Sequence, residues 1–390
     1  MTAAETLRQE GFEGSITIVG DEVRPPYDRP PLSKQVLAGA WGSERVELPA
    51  TRDELGIEWR LGSPAVGLQL DDRQVLFELG PALPFDGLVI ATGASPRQLP
   101  GTAEVAGVHT LRTLDDCVAI RSALEAGVER VVVVGAGFIG AEVAATCRGL
   151  GVDVTLVEAL PVPLWRVLGS EIGAVCAALH RDNGVDVRLG VGVDRIEADA
   201  RRHVARVHLA DGAVIDASLV VVGIGVVPNT AWLQGAGLSI ENGVLCDATM
   251  LAAPGVVAAG DVARWPNAAF DGEVMRVEHW DNAVAMGEHA ARRLLAELTG
   301  AAFVEPFAPI PWFWSDQYDR KIQLAGRAGP DDDMAVVHGS LDERRFVALY
   351  GRNARVVGAL GFNMAGRLAR YRASIARWLA WDDALAEVDG

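Results

Sequence analysis

Residues 128–160 read VERVVVVGAGFIGAEVAATCRGLGVDVTLVEAL, and no other stretch narrows the possible folds as far. Positions 131–134 are four consecutive valines, the pattern of a buried strand. Gly135-Ala136-Gly137-Phe138-Ile139-Gly140 follows at once, and a helix-forming run continues to Leu150. A second apolar strand, at 152–157, ends in Glu158. Each part has a physical task. Gly135 permits the tight turn, Gly137 lets backbone approach a pyrophosphate, and Gly140 lets the helix pack on the strand. The helix N-terminus offers N–H groups and a partial positive charge to phosphate oxygens. Glu158 stands where a carboxylate accepts from ribose hydroxyls. The stretch predicts an α/β fold that holds a dinucleotide.

Glu158 also bears on which dinucleotide. Like charges ~4 Å apart repel by about 4 kcal/mol at an effective dielectric of 20. A 2′-phosphate beside Glu158 meets repulsion on that scale, so NADH is expected over NADPH. Arg166 is the counterweight, because an arginine there could reach a 2′-phosphate.

A second unit of this kind opens the chain. Residues 2–9 are helix formers, Gly11 is a stop, and 15–19 is a short strand closed by Gly20-Asp21-Glu22. Helix, strand and acid form the second half of a Rossmann unit. Its first strand and its glycine loop do not appear in the sequence. A late start codon or a truncated sequence is expected to account for this, with about 15–20 residues missing. As written, the chain is expected to bind flavin weakly and to lose stability.

Composition excludes several classes. With 390 residues, 50% of them hydrophobic, two or three domains can each bury a core. A net charge of −17 argues against nucleic acid and anionic membranes as partners. No basic, apolar leader opens the sequence, and the apolar run near 219–227 is far short of the ~20 residues a spanning helix needs. A cytoplasmic protein with no membrane association is expected. Cys117, Cys147, Cys176 and Cys246 stand apart with no C-x-x-C, so they are read as buried thiols rather than a redox disulfide. No metal site is expected.

Gly and Pro punctuation divides the chain at about 112, 235 and 311. Four further stretches stand out. PPYDRPPLSK, at 25–34, is stiffened by prolines and is expected to present Lys34 at the start of a helix. ATMLAAPGVVAAGDVA ends a strand in Gly260-Asp261. VEHWDNA sets Glu278, His279 and Trp280 at a helix start, expected over roughly 281–298. PWFWSDQYD carries Trp312, Phe313 and Trp314, an apt wall for a planar ring.

With LVIATGASPR and LRTLDD these motifs stand in series, and in that order the chain resembles the FAD-dependent, NADH-linked ferredoxin reductases of bacterial oxygenase systems. Putidaredoxin-, rhodocoxin- and biphenyl-dioxygenase-type reductases belong there. The resemblance spans essentially the whole chain. It implies an α/β architecture with two Rossmann-like domains, for FAD and NAD, of the glutathione-reductase type, plus a C-terminal α+β domain. Residues 1–112 and 236–311 would bind FAD, 113–235 NAD, and 312–390 would form an interface domain. NADH would pass a hydride to flavin N5, and electrons would leave one at a time to a small iron–sulfur ferredoxin or rubredoxin.

The resemblance also implies residue roles. Lys34 would lie near flavin N5 and Glu278 near the nicotinamide, as the catalytic pair. Asp21 would meet the adenosine ribose of FAD, Val66 the adenine, Arg112 the flavin, Asp261 the ribityl chain and Trp280 the pyrimidine edge. Gly135, Gly137, Gly140 and Glu158 would hold NADH. Within or beside the same motifs, Arg29, Thr92, Gly93, Phe138, Ile139, Glu142, Arg166, Gly225, Gly260, His279 and Trp312 complete the cofactor-binding set. Relatives often carry an extra arginine shortly after the NAD acid, where this chain reads LPVPLW. Related NADH oxidases place a reactive cysteine near the LSK segment, where this chain has Ser33, Lys34 and Gln35.

Two other readings stay open. One keeps the chemistry but changes the acceptor, as in an NADH oxidase or a nitrite-reductase-like subunit. The other is a flavin-free, NADH-binding protein similar to apoptosis-inducing factor. Monomer and homodimer are both compatible with the sequence. The last third is rich in arginine, Arg344 and Arg345 among them, and a basic face there is expected to dock an acidic ferredoxin.

Overall fold

The computed structural model describes residues 1–48 and 55–386. Residues 49–54, within the sequence-defined segment 1–112, and 387–390, at the end of 312–390, lie outside the described residues. Contacts divide the chain into two units: Met1–Tyr27 with Glu47–Ser95 and Val227–Pro311, and Asp28–Val46 with Pro96–Val226 and Trp312–Gly390.

In the first unit the opening helix is Thr2–Gln9, and Gly11 ends it at φ +83°. The strand Ile16–Val19 follows and pairs in parallel with Ile57–Arg60. The strand Leu88–Ile90 pairs in parallel with Val256–Ala258. Among the described residues, neither Ile16–Val19 nor Leu88–Ile90 has a ladder partner on its other edge. The helix Trp280–Thr299 packs along Thr2–Gln9, and Gly287 permits the approach: a Cβ there would stand 3.3 Å from Thr2 Cβ. Trp265 is fully buried and donates to the Phe307 carbonyl at 2.9 Å.

The second unit holds a five-stranded parallel sheet, in the order Asp186–Leu189, Asp153–Glu158, Arg130–Val134, Leu219–Val222, Val108–Thr110. The valines of Arg130–Val134 lie at its centre with at most 5% exposure, as four consecutive apolar residues require. The helix Phe138–Gly149 crosses between the two central strands. The C-terminal part is a five-stranded antiparallel sheet, in the order Trp312–Gln317, Arg320–Gly326, Arg355–Phe362, Arg345–Arg352, Asp333–Ser340. The helix Ala365–Ala376 packs on it.

The helix Trp165–Asp182 turns at Gly169 (φ +75°), and its Leu168, Ile172, Cys176 and Leu179 share one core with Ile322, Leu324, Phe346, Leu360 and Phe362 of that sheet. All four cysteines are buried thiols, and burial raises each of their pKa values. Among the described residues no helix is long and apolar enough to cross a membrane.

One local expectation fails. Lys34 does not begin a helix. Pro30–Ser33 is a single 3-10 turn, and Lys34 closes it with its N–H on the Pro31 carbonyl. Pro30 and Pro31 fix φ without offering N–H groups, which suits one tight turn better than a continuing α-helix.

Candidate functional site

The glycine loop shows why each glycine is needed. Gly135 has φ +96°, and a Cβ on it would sit 2.3 Å from the Gly223 carbonyl oxygen. A Cβ on Gly140 would sit 1.9 Å from the Gly135 oxygen. A Cβ on Gly137 would meet nothing within 4 Å. Gly137 is the N-cap of Phe138–Gly149 and supplies no side-chain cap, so open space lies before a helix N-terminus. That cradle fits a dinucleotide phosphate.

Glu158 ends its strand beside this loop. Its Oε2 accepts from Ala136 N–H at 2.7 Å and its Oε1 from Leu160 N–H at 2.9 Å. The acid therefore braces the loop. Leu164 N–H donates to the Ala136 carbonyl at 3.1 Å, which sets exposed Arg166 at the rim of the same loop. Ile139 is 40% exposed, and Phe138 lies against Phe313 with ring centroids 3.9 Å apart. Gly225 adopts φ +96° in an open turn, and its carbonyl accepts from Arg97 N–H at 2.9 Å.

Glu142, one turn into the same helix, is 5% exposed. Its Oε2 accepts from Lys34 Nζ at 2.6 Å and Ser33 Oγ at 2.5 Å, and its Oε1 from Ser315 Oγ at 2.7 Å. Thr146 Oγ1 donates to the Ser33 carbonyl at 2.7 Å, so the 3-10 turn is fastened to the helix at two points. Arg29 donates to the Arg112 carbonyl at 2.7 Å, and Asp116 accepts from Arg112 N–H. Trp312 lies under the Arg372 guanidinium, 5.6 Å from its ring centroid. Ser33 and Ser315 escape a sequence reading, since neither residue type signals a site. The available clue is that Ser315 and Gln317 alternate on the inward face of an aromatic strand.

In the first unit, Asp21 is exposed just past Ile16–Val19, and its Oδ1 accepts from Glu22 N–H at 3.0 Å. Val66 is 51% exposed. Thr92 and Gly93 are tied to Asn229 by Thr92 Oγ1 to the Asn229 carbonyl at 2.8 Å and Asn229 N–H to the Gly93 carbonyl at 2.9 Å. Gly260 has φ +77° and opens a 3-10 turn through Asp261. Arg276 links two candidates: it donates to the Asp261 carbonyl at 3.0 Å and pairs with Glu278 at 2.6 Å. His279 caps Trp280–Thr299, and burial pulls its pKa down to about 4 against the opposing charges of Asp261 and Asp281. Trp280 is 45% exposed. Asn282 is 1% exposed, with neither amide atom hydrogen-bonded. Such a group is costly unless something pairs with it, which fits a cofactor with a polar ring edge. Among the described residues no His, Cys, Asp or Glu cluster could hold a metal.

The expected basic face is thinner than the sequence implies. Arg344 pairs with Asp182, Arg352 with Asp332 at 2.6 Å, and Lys321 with Asp316 at 3.6 Å. Arg367 and Arg370, on Ala365–Ala376, are exposed and meet no carboxylate among the described residues. Their guanidinium groups contact the ring of His338 at 3.0 and 2.8 Å.

A dinucleotide loop of this form, with a C-terminal antiparallel sheet joined to the same unit, defines a nucleotide-linked oxidoreductase. The chain belongs to the pyridine nucleotide-disulphide oxidoreductase family, whose model matches residues 1–287, and a second model, reductase C-terminal, matches 312–387. Rhodocoxin reductase of Rhodococcus erythropolis is 40% identical over 367 residues, 93% of this chain and 83% of that protein. The 5,5'-dehydrodivanillate O-demethylase ferredoxin reductase subunit of a Sphingobium species is 39% identical over 394 residues, 99% of this chain and 93% of that protein. Putidaredoxin reductase, in its covalent complex with putidaredoxin, superposes with a TM-score of 0.91 at 34% identity, over 97% of this chain and 91% of its own. The family and its ferredoxin–NAD(+) reductases use FAD and NAD(H).

Glu158 gives a direct test of nucleotide choice. Wild type is expected to use NADH well ahead of NADPH in kcat/KM. Glu158→Ala should narrow the gap. It should also raise KM for NADH, because the Ala136 and Leu160 N–H groups lose their acceptor. Equal wild-type values for the two nucleotides would remove Glu158 from the selectivity argument.

Proposed function

We propose that this chain passes electrons from NADH through FAD to a small iron–sulfur ferredoxin or rubredoxin of an oxygenase system, in the cytoplasm. The single observation that carries the reading is the joining, in one unit, of a complete dinucleotide loop to a buried Lys34–Glu142 pair on the helix that the loop begins. Residues 1–112 with 236–311 serve FAD, 113–235 NADH, and 312–390 the acceptor side. FAD, when bound, takes two electrons as a hydride and releases them singly. The chain's own residues do the rest. The glycine loop and the helix N-terminus hold the NADH pyrophosphate. Glu142 and Ser33 hold Lys34 Nζ at 2.6 and 3.3 Å, where it would serve an electron-rich ring. Glu278, held by Arg276 at 2.6 Å, would serve the nicotinamide. The buried, isolated thiols support a mechanism without a disulfide and a reducing compartment.

The test compares two acceptors. NADH-dependent reduction of an acidic ferredoxin is expected to slow as salt rises, while reduction of a small uncharged acceptor holds steady. Arg367→Glu with Arg370→Glu should slow the ferredoxin reaction alone. These replace Arg344 as the informative positions, because Arg344 is already committed to Asp182. No reduction of any iron–sulfur acceptor, with the small acceptor still reduced, would favour the NADH-oxidase reading.

A further inference from the structure

We propose that Ser315 and Gln317 are positioning residues for the Lys34–Glu142 pair, and through it for the flavin chemistry on which the proposed function rests. The strand Trp312–Gln317 turns Ser315 and Gln317 to the same side, and both are fully buried. Two adjacent buried polar side chains are costly unless their hydrogen bonds are made. Here the bonds form a chain whose direction is forced by chemistry.

The Glu142 carboxylate can only accept, so the single hydroxyl hydrogen of Ser315 goes to Glu142 Oε1, at 2.7 Å. Ser315 Oγ must then accept, and it does so from Gln317 Nε2 at 3.2 Å. That fixes the amide: its nitrogen faces Ser315 and its oxygen faces away. Gln317 Oε1 is buried and accepts no hydrogen bond among the described residues.

Both donors therefore point one way, from Gln317 to Ser315 and from Ser315 to Glu142. Aligned hydrogen bonds in a low-dielectric interior polarise one another. The chain delivers its positive end to one oxygen of Glu142 and leaves the other to Lys34 and Ser33. Lys34 is thereby held by a carboxylate that cannot rotate. The Ser315–Glu142 contact is far from local, joining residues 173 apart.

The experiment uses the FAD-loaded full chain and three variants: Ser315→Ala, Ser315→Thr and Gln317→Leu. The readouts are the flavin midpoint potential, FAD content, thermal midpoint, and kcat and KM for NADH with a small acceptor. One hydrogen bond to a charged group is worth about 1.5–3 kcal/mol. Ser315→Ala is therefore expected to lower kcat at least ~10-fold, leave KM for NADH within about twofold, and make the potential more negative. Ser315→Thr should restore both. Gln317→Leu should act in the same direction and more weakly, since it reaches Glu142 only through Ser315. A lower thermal midpoint with unchanged potential and kcat would make the chain purely structural and overturn the proposal. So would threonine behaving as alanine, or Gln317→Leu exceeding Ser315→Ala. Because the potential is read without ferredoxin, a wild type that reduces no ferredoxin would sink the proposed acceptor while the variants still decide the positioning roles.

Discussion

Glu142→Ala is expected to destabilise the protein by about 3–5 kcal/mol, the usual cost of leaving one member of a buried ion pair behind. The side chains of Lys34 and Glu142 are only 12% and 6% exposed. Removing the carboxylate strands the ammonium and also leaves Ser33 and Ser315 without their acceptor. Lys34→Met combined with Glu142→Leu should recover most of the loss, because replacing both members with apolar groups of similar volume removes the stranded charge. The double variant should nonetheless fail to reduce ferredoxin at the wild-type rate. Denaturant midpoints for the wild type, both single variants and the double variant complete the cycle. A Glu142→Ala loss below about 1 kcal/mol, the range of an exposed pair, would show that water reaches this site freely.

The second large effect separates two glycines that look alike in sequence. Gly140→Val is expected to disrupt the loop itself. Its Cβ would collide with the Gly135 oxygen, and Gly135 is held in place by its N–H bond to the Val157 carbonyl at 2.8 Å. Overpacking of this kind costs about 1–3 kcal/mol, and a loop displaced by about 1 Å can lower NADH kcat/KM by roughly 100-fold. Gly137→Ala should fold normally, since its Cβ meets nothing within 4 Å. Its expected penalty falls on KM for NADH alone, where the methyl takes space needed by the phosphate. Thermal midpoints and NADH kinetics on the two variants check the contrast. Equal thermal midpoints would contradict the loop geometry.

The parts legible in the sequence are those whose determinants are local. The valine strand, the glycine loop, the helix and Glu158 lie within about thirty residues, and each is specified by its neighbours. Lys34 was misplaced at a helix start because proline at the first helical positions is also compatible with a single 3-10 turn. The anchoring of Glu142 was hidden for another reason. Ser33, Ser315 and Gln317 are ordinary polar residues until tertiary contacts bury them. Arg344 looked like a docking charge because Asp182, its partner, is 162 residues away.

The core shared by Trp165–Asp182 and the C-terminal sheet bears on how such reductases can be recombined. A crossover at 311/312 looks natural, since it falls in a proline-rich connection ahead of the last sheet. It would nevertheless cut through a single core. Leu168, Ile172, Cys176 and Leu179 would then face a foreign sheet, and the Tyr350 hydroxyl would lose its bond to the Leu168 carbonyl. At about 1.5–3 kcal/mol for each large apolar side chain, a poor match over these positions can consume much of the roughly 5–15 kcal/mol that holds a typical domain together. A viable hybrid would inherit the 165–182 helix and the 312–386 segment from one parent, as a single discontinuous cassette.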